Sequence, residues 1–229
     1  MAGEQQYEVE VKSLLGDATD VATFITKLRQ RDPQLALKAE SDQLNHYFDD
    51  SGDSEALYER VKDLLIEESD RSGMRAILDG FSSYSIRTRL ENKKVYFVIK
   101  AAREGEDKDH ALARIEGSYL SMAPIEELDA AILASGYGYL SKWSRSRKEY
   151  SYRGYNVCLD KNAGYGYILE IEKVVTTEAD ATTTKSEILA ELEDLGLEEL
   201  PQDRLGRMFA HYNKHWSDYY QTDKTFTVA

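Results

Sequence analysis

Pairs of like-charged residues stand two positions apart in four segments whose composition is typical of β-strands. Because alternate side chains of a strand point to the same face, each pair places two like charges on one face. The pairs are Glu8 and Glu10 in segment 7–14, Arg87 and Arg89 in 84–90, Arg145 and Arg147 in 139–152, and Glu170 and Glu172 in 166–175. In the first segment Lys12 continues the charged face, and Val9 and Val11 stand on the opposite one.

Two interpretations of these charged faces are open. Charged residues are mostly exposed, so each face taken alone fits the solvent side of an ordinary sheet. Taken together, the pairs sort by sign, and their opposite faces are apolar enough to pack against helices. If the sheet closes on itself, the carboxylates would meet as ligands for a divalent metal and the arginines as a wall for phosphate oxygens. The second interpretation predicts an enclosed site for a metal and a polyphosphate.

Composition limits the class of protein. The chain has 229 residues, is 41% hydrophobic and contains three prolines, so we expect one domain, residues 1–229, with a core of its own. A net charge of −13 disfavours binding to nucleic acid and to anionic membranes. Cys158 is a single cysteine, and the polar start Met1 to Gln6 is unlike a signal peptide. We therefore expect a cytoplasmic protein.

The elements that would position the charges are strands, and helices are inserted between some of them. We predict about eight strands with helices between them, which is an α+β architecture. An amphipathic helical insertion covers about 53–80, with Gly80 ending it, and a helical tail covers about 184–220. Closing so many antiparallel strands into a barrel removes the exposed sheet edges.

Glu8-Val9-Glu10-Val11-Lys12 has the form E-x-E-x-K, and it resembles the opening of the CYTH family, the triphosphate tunnel metalloenzymes. Later segments resemble the family's motifs in the same order, up to Glu172. These segments are Arg87-Thr88-Arg89, Lys100, Glu116, Arg145 to Arg147, Asp160, and Glu170-Ile171-Glu172 after Gly164. The resemblance implies a closed antiparallel eight-stranded barrel, the triphosphate tunnel, with helices inserted between its strands.

The resemblance also implies a role for each matching residue. The residues that would bind Mg²⁺ or Mn²⁺ are Glu8, Glu10, Asp160, Glu170 and Glu172. The residues that would bind the triphosphate are Lys12, Arg87, Arg89, Lys100, Arg145 and Arg147. Glu116 and Asp160 are the implied catalytic residues, Glu116 by orienting arginines or by standing next to the metal. The implied partner is a small triphosphate, and a homodimer is possible.

The same set of residues suits more than one function. A class IV adenylyl cyclase converts ATP to cyclic AMP and pyrophosphate, whereas a triphosphatase hydrolyses inorganic triphosphate, thiamine triphosphate or a nucleoside triphosphate. The segment Lys142 to Lys148 and the turn Gly164-Tyr165-Gly166 resemble the cyclase branch of the family more than the triphosphatase branch. A third hypothesis is a module that binds polyphosphate or nucleotide without catalysis. Two carboxylate pairs argue against it, because a simple anion binder gains little from acidic side chains.

Three features depart from the family pattern. Asn162 stands where relatives of thiamine triphosphatase often have a lysine, and the insertion at about 53–80 is longer than usual. After Pro201, the tail carries His211, His215 and Trp216 on a predicted helix. We interpret that helix as a packing element, with a subunit contact or a cover of the barrel mouth as alternatives.

Overall fold

The structure is a computed structural model and describes residues 7–102 and 114–228. The strands are β1 (Tyr7–Leu15), β2 (Ala36–Phe48), β3 (Tyr84–Glu91), β4 (Lys94–Ala102), β5 (Arg114–Ser121), β6 (Tyr139–Tyr152), β7 (Tyr155–Asn162) and β8 (Gly166–Val175). The helices are α1 (Ala18–Arg31), α2 (Ser54–Val61), α3 (Glu68–Gly80), α4 (Ile125–Leu133), α5 (Glu178–Leu195) and α6 (Gln202–Tyr219). None of these helices is long and apolar enough to cross a membrane.

The strands form an eight-stranded sheet in the order β1-β8-β7-β6-β2-β3-β4-β5. The pairings of β1 with β8, β7 with β8, β6 with β7, β2 with β3, β3 with β4, and β4 with β5 are antiparallel. The predicted α+β architecture with an antiparallel eight-stranded sheet is therefore confirmed. Closure of the sheet into a barrel is not confirmed, because the strand order of the described residues ends in β1 and β5.

The chain forms two compact units. Unit 1 extends to Asp42 and resumes at Ser144, and unit 2 is the continuous stretch Gln43–Trp143. The prediction of a single domain over 1–229 is not tested by this division and stays a prediction.

The core of unit 1 lies between one face of β1, β7 and β8 and the helices α1 and α5. Val9 and Val11 of β1 and Leu169 and Ile171 of β8 point into it, as the alternation in the sequence predicts. Since successive side chains of a strand point to opposite faces, the charged residues between them point away from this core. The apolar face therefore fixes the orientation of the charged one.

Two-residue turns set the register of the hairpins that carry the charges. The β3–β4 turn has positive φ at Asn92 (46°) and Lys93 (73°), and the β6–β7 turn has positive φ at Arg153 (47°) and Gly154 (82°). Positive φ at both central residues is the conformation whose twist matches paired antiparallel strands. A slip of one residue would turn every arginine of these strands to the opposite face.

Of the two C-terminal helices of unit 1, α5 begins earlier than predicted, and α6 begins after Pro201 as predicted. Helix α5 starts at Glu178, because the hydroxyl of Thr177 accepts a hydrogen bond from the amide of Asp180 (3.1 Å) and caps the helix. Helix α6 buries Leu205, Met208 and Tyr212. The Tyr212 ring stacks on Tyr165 with 5.2 Å between ring centroids, so the interpretation of this helix as a packing element is confirmed.

The helical insertion differs from the prediction in unit 2. The continuous helix expected through Leu65 is broken after α2, and Leu65 takes an extended conformation and is fully buried. Its neighbours bond to β5 and to the residue that follows it: the amide of Ile66 donates to the carbonyl of Leu120 (3.0 Å), and that of Met122 donates to the carbonyl of Leu64 (2.9 Å). The break therefore satisfies backbone groups at the edge of β5, which a continuous helix would leave unpaired.

A buried carboxylate links α4 to the sheet of unit 2. Asp129 is 4% exposed. It accepts hydrogen bonds of 2.6 Å each from His46 Nδ1, the Thr88 hydroxyl and the Tyr139 hydroxyl. Such a cluster is stable only because its acceptor oxygens are supplied with donors. The local sequence does not predict this cluster, because Asp129 is one of several acidic residues in the segment that forms α4.

Candidate functional site

Three carboxylates meet on the charged face of unit 1. Glu10 of β1 lies directly opposite Glu172 of β8, and Glu170 is the next residue on the same face. One carboxylate oxygen of each lies within 4.8 Å of the others. Three like charges this close repel one another, and cations between or beside them are needed to offset this repulsion.

Lysine and arginine side chains supply part of that positive charge. Lys12 Nζ lies 2.7 Å from Glu10 Oε1 and 3.4 Å from Glu170 Oε1. Arg147 Nη2 donates to Glu170 Oε2 at 2.6 Å. Both oxygens of Glu170 therefore face a cation, one from β1 and one from β6.

Asp160 holds the two arginines of β6 in place. It is 1% exposed, and the antiparallel pairing sets it opposite Arg147. Arg147 donates to it through Nε (2.7 Å) and Nη2 (2.7 Å), and Arg145 donates through Nη1 (2.8 Å). These hydrogen bonds occupy both carboxylate oxygens of Asp160. Its predicted roles as metal ligand and catalytic residue stay predictions.

The charges of this cluster alter the proton affinities of its members. Burial opposes ionisation of Glu170 most strongly, but Lys12, Arg147 and Arg145 together lower the pKa of Glu170. Burial likewise opposes the charge on Lys12, and the neighbouring Glu170 and Glu10 outweigh it, so the pKa of Lys12 is raised. The cluster therefore favours the ionised form of both groups.

Asn156 is a member of the site that the sequence analysis missed. Its Nδ2 donates to Glu172 Oε1 at 2.6 Å, and its Oδ1 accepts from Lys38 Nζ at 3.3 Å. The antiparallel pairing sets Asn156 opposite Glu172. Strand alternation could have indicated it, because Asn156 shares one face of β7 with Cys158 and with Asp160, which was already a predicted site residue. Burial raises the pKa of the Cys158 thiol to about 12, so this neighbour stays protonated.

Glu8 belongs to β1 by its backbone. Its side chain lies outside the part of the chain whose side chains are described, so its assignment as a metal ligand stays a prediction.

In unit 2 the predicted residues form a second charged group. Lys100 Nζ lies 2.5 Å from Glu116 Oε2, and Arg87 Nη2 lies 3.5 Å from Glu116 Oε1. Arg87 Nη1 also donates to the Tyr47 hydroxyl at 2.6 Å. Arg87 Nε is buried and makes no hydrogen bond within the described residues. The structure thus brings Arg87, Lys100 and Glu116 together, with Glu116 between the cations.

Arg89 has different neighbours from Arg87. Its Nε donates to Asn45 Oδ1 at 3.1 Å, and its Nη1 lies 4.0 Å from Glu91 Oε2. Arg87 and Arg89 remain on the same face of β3, as predicted, while the buried Ile86 and Thr88 point to the other.

The donor set of unit 1 fits the groups that the sequence predicts. Carboxylate oxygens are the ligands that Mg²⁺ and Mn²⁺ prefer, and Glu10, Glu170 and Glu172 supply at least one each. Arg145 and Arg147 supply guanidinium groups, whose planar donors suit phosphate oxygens.

Comparison with known proteins supports the fold. No protein-family model matches the chain, and no curated protein matches it. Solved structures match at low sequence identity. The PH1819 protein of Pyrococcus horikoshii OT3 is 16% identical, with a TM-score of 0.56, over 86% of this chain and 94% of that one.

Two further structures carry functional descriptions. A proposed adenylate cyclase of Vibrio parahaemolyticus is 12% identical, with a TM-score of 0.54, over 85% of this chain and 91% of that one. HpAC1 of Hippeastrum, an adenylyl cyclase candidate described as having a dominant triphosphatase activity, is 15% identical, with a TM-score of 0.51, over 89% of this chain and 96% of that one. The chain therefore shares the fold of these proteins, which confirms at the level of fold the resemblance to the CYTH family.

Proposed function

We propose that this chain is a divalent-metal-dependent enzyme that acts on a triphosphate. The observation that carries the proposal is the juxtaposition in unit 1 of three carboxylates with Lys12, Arg145 and Arg147. Closure of the sheet into a tunnel, which the resemblance implies, belongs to the proposal as well.

Glu10, Glu170 and Glu172 would hold the metal, together with Glu8 if its side chain follows the alternation of β1. A bound Mg²⁺ or Mn²⁺ supplies positive charge that polarises and neutralises phosphate oxygens. Asn156 orients Glu172 through its hydrogen bond, so a neutral amide fixes one of the ligand carboxylates without competing for the metal.

Lys12, Arg145 and Arg147 would bind phosphate oxygens. Asp160 fixes both guanidinium groups before substrate arrives, which lowers the entropic cost of ordering them on binding. In phosphoryl and nucleotidyl transfer, positioning and neutralisation of charge supply most of the catalysis, and no covalent nucleophile is required.

The residues of unit 2 enter the proposal through the resemblance. Arg87, Arg89 and Lys100 are proposed as further triphosphate ligands, and Glu116 as the carboxylate that orients Arg87 and Lys100. The Nε of Arg87, which is buried and makes no hydrogen bond in the part of the chain that the structure describes, supports this assignment, because a buried donor without an acceptor is costly unless a ligand supplies one.

Two reactions are candidates. The sequence features in Lys142 to Lys148 and Gly164 to Gly166 favour conversion of ATP to cyclic AMP and pyrophosphate. The shared fold with HpAC1 favours hydrolysis of a triphosphate as the second candidate.

The deciding experiment incubates the purified protein with ATP and, separately, with inorganic triphosphate, in the presence of Mg²⁺ or Mn²⁺, and identifies the products by chromatography. Cyclic AMP with pyrophosphate would establish the cyclase. ADP or orthophosphate without a cyclic product would establish the triphosphatase. No turnover of either compound with either metal would refute this proposal for both substrates.

Neighbouring residues of β6 provide a matched pair of variants. Arg147→Ala should abolish most turnover, because it removes a proposed phosphate ligand. Lys148→Ala removes the same charge from an exposed residue that pairs with Glu40 (2.8 Å), and it should keep full activity. Equal activities of the two variants would contradict the assignment of Arg147.

A further inference from the structure

We propose that Glu170 couples metal binding to triphosphate binding. Without metal, Glu170 holds Lys12 and Arg147; when its oxygens ligate a metal, both cations are released to bind phosphate. This inference rests on the proposed function and adds to it a mutual dependence of the two ligands.

The distances show why Glu170 cannot serve both sets of partners equally. Its Oε1 lies 3.4 Å from Lys12 Nζ, and its Oε2 lies 2.6 Å from Arg147 Nη2. A divalent ion bound to the same oxygens would stand close to two positive charges, and in this half-buried position their repulsion is weakly screened. Ligation of a metal by Glu170 therefore weakens its hold on Lys12 and Arg147.

Asp160 keeps Arg147 in position when the bond between Arg147 and Glu170 is lost. Arg147 retains two hydrogen bonds to Asp160, through Nε and Nη2, and Arg145 retains its own. After release from Glu170, the positive charge of Arg147 is no longer neutralised by that carboxylate and can attract a phosphate. The bonds to Asp160 keep the guanidinium group in the site. Lys12 differs from Arg147, because its second partner is Glu10, at 2.7 Å, and Glu10 is itself one of the proposed metal ligands. A bound metal would therefore compete with Lys12 for both of its carboxylates.

The charge balance explains why a triphosphate would bind weakly without metal. The cluster contains one more carboxylate than cation, so a polyanion meets a site of net negative charge. Its members are the cations Lys12, Arg145 and Arg147 and the carboxylates Glu10, Asp160, Glu170 and Glu172. A divalent ion reverses the sign of this balance. Because coupling between two ligands is reciprocal, a bound triphosphate would strengthen metal binding by the same factor.

The first test measures binding of inorganic triphosphate without metal, in EDTA, by titration calorimetry. Glu170→Gln should bind it about tenfold more tightly than the unchanged protein, which corresponds to about 1.4 kcal/mol. Glu172→Gln is the matched control, because it removes the same charge from a carboxylate whose hydrogen-bond donor is the neutral Asn156. The control should gain about threefold or less, from the change of net charge alone. Equal gains in the two variants would overturn the proposal.

The second test measures binding of Mn²⁺ alone, by electron paramagnetic resonance. Lys12→Met removes a competitor for Glu170 and should bind Mn²⁺ several-fold more tightly than the unchanged protein. Lys173→Met is the control, because Lys173 lies over the Tyr155 ring and its loss changes the net charge equally. Mn²⁺ affinity in Lys12→Met equal to or weaker than that of Lys173→Met would overturn the proposal. This arm also decides the question if Glu170→Gln does not fold.

The outcomes separate this inference from the proposed function. If the unchanged protein turns over a triphosphate with metal, yet the paired variants show no difference, the coupling is wrong and the proposed function stands. If the unchanged protein binds neither Mn²⁺ nor inorganic triphosphate, alone or together, both are wrong.

Discussion

Replacing Asp129 with alanine should destabilise unit 2 strongly. Asp129 is buried and accepts three hydrogen bonds of 2.6 Å, from His46, Thr88 and Tyr139. The substitution leaves these three donors in a buried region without their shared acceptor. A hydrogen bond to a charged group contributes about 1.5–3 kcal/mol, so three of them set an upper limit near 4.5–9 kcal/mol.

The measured loss should be smaller than this limit. His46 can change tautomer, and the half-buried Tyr139 hydroxyl can turn toward water. Removal of one partner from a buried charged cluster typically costs about 3–5 kcal/mol, and we expect Asp129→Ala in that range. Asp129→Asn keeps one acceptor oxygen and should lose about 2 kcal/mol.

Urea unfolding can follow unit 2 alone, because the two tryptophans of the chain lie in different units. Trp143 belongs to unit 2 and Trp216 to unit 1. In a Trp216→Phe background, fluorescence reports the surroundings of Trp143. Glu127→Ala, an exposed neighbour on α4, is the control and should change stability by less than about 0.5 kcal/mol. A loss below about 1 kcal/mol for Asp129→Ala would refute the reasoning, since it would mean that the donors find other acceptors.

The same cluster should also make the stability of the protein depend on pH. Burial favours the neutral acid, but the hydrogen bonds from His46, Thr88 and Tyr139 prevail and lower the pKa of Asp129. A carboxyl whose pKa is lower in the folded state stabilises the protein above its unfolded pKa, about 4, and loses that contribution as pH falls toward the folded pKa. The stability difference between the unchanged protein and Asp129→Asn should therefore be constant near neutral pH and shrink below about pH 4. A constant difference down to the acid transition would contradict this.

Three further substitutions test the site and its supports. Asp160→Asn should weaken triphosphate binding by about tenfold in a titration with metal present, because Arg147 loses its charged anchor; unchanged affinity would contradict the role of Asp160. Gly164→Ala should destabilise unit 1 by about 2 kcal/mol in urea unfolding, because Gly164 has φ of 84° and an added Cβ would lie 2.8 Å from the Tyr212 ring; a loss near zero would contradict this. Arg87→Ala should raise KM for the triphosphate severalfold, and an unchanged KM would contradict the proposed role of Arg87.

Strand alternation made much of the fold and part of the site predictable. The bounds of β6 and β8 agree with the prediction, because aromatic and β-branched residues alternate there with charged residues and turns flank each strand. The same alternation predicted that Val9 and Val11 are buried while Glu10 and Lys12 share the other face. The alternation of side chains between the two faces of a strand follows from the local sequence alone, so it can be predicted without knowledge of the fold.

Pairing between distant segments was not predictable from local sequence. Asn156 acts on Glu172 only through the register of β7 with β8, and Leu65 leaves its helix only because the edge of β5 needs partners. Asp129 shows the same limit, because its three donors come from three other segments of the chain. Tertiary contacts determine the role of each of these residues. The residue type and its neighbours in the sequence do not indicate those contacts.

The pairing of β1 with β8 has a consequence for biosynthesis. Tyr7 pairs with Val175, and Glu10 meets Glu172 only through that pairing, so the two carboxylates are separated by most of the chain. During translation the continuous stretch Gln43–Trp143 is complete long before β8 leaves the ribosome, while β1 has to wait for its partner strand. The loop between them makes this pairing entropically expensive and slow. The carboxylate cluster is thus among the last features of the molecule to assemble, and a chain arrested before β8 would lack it.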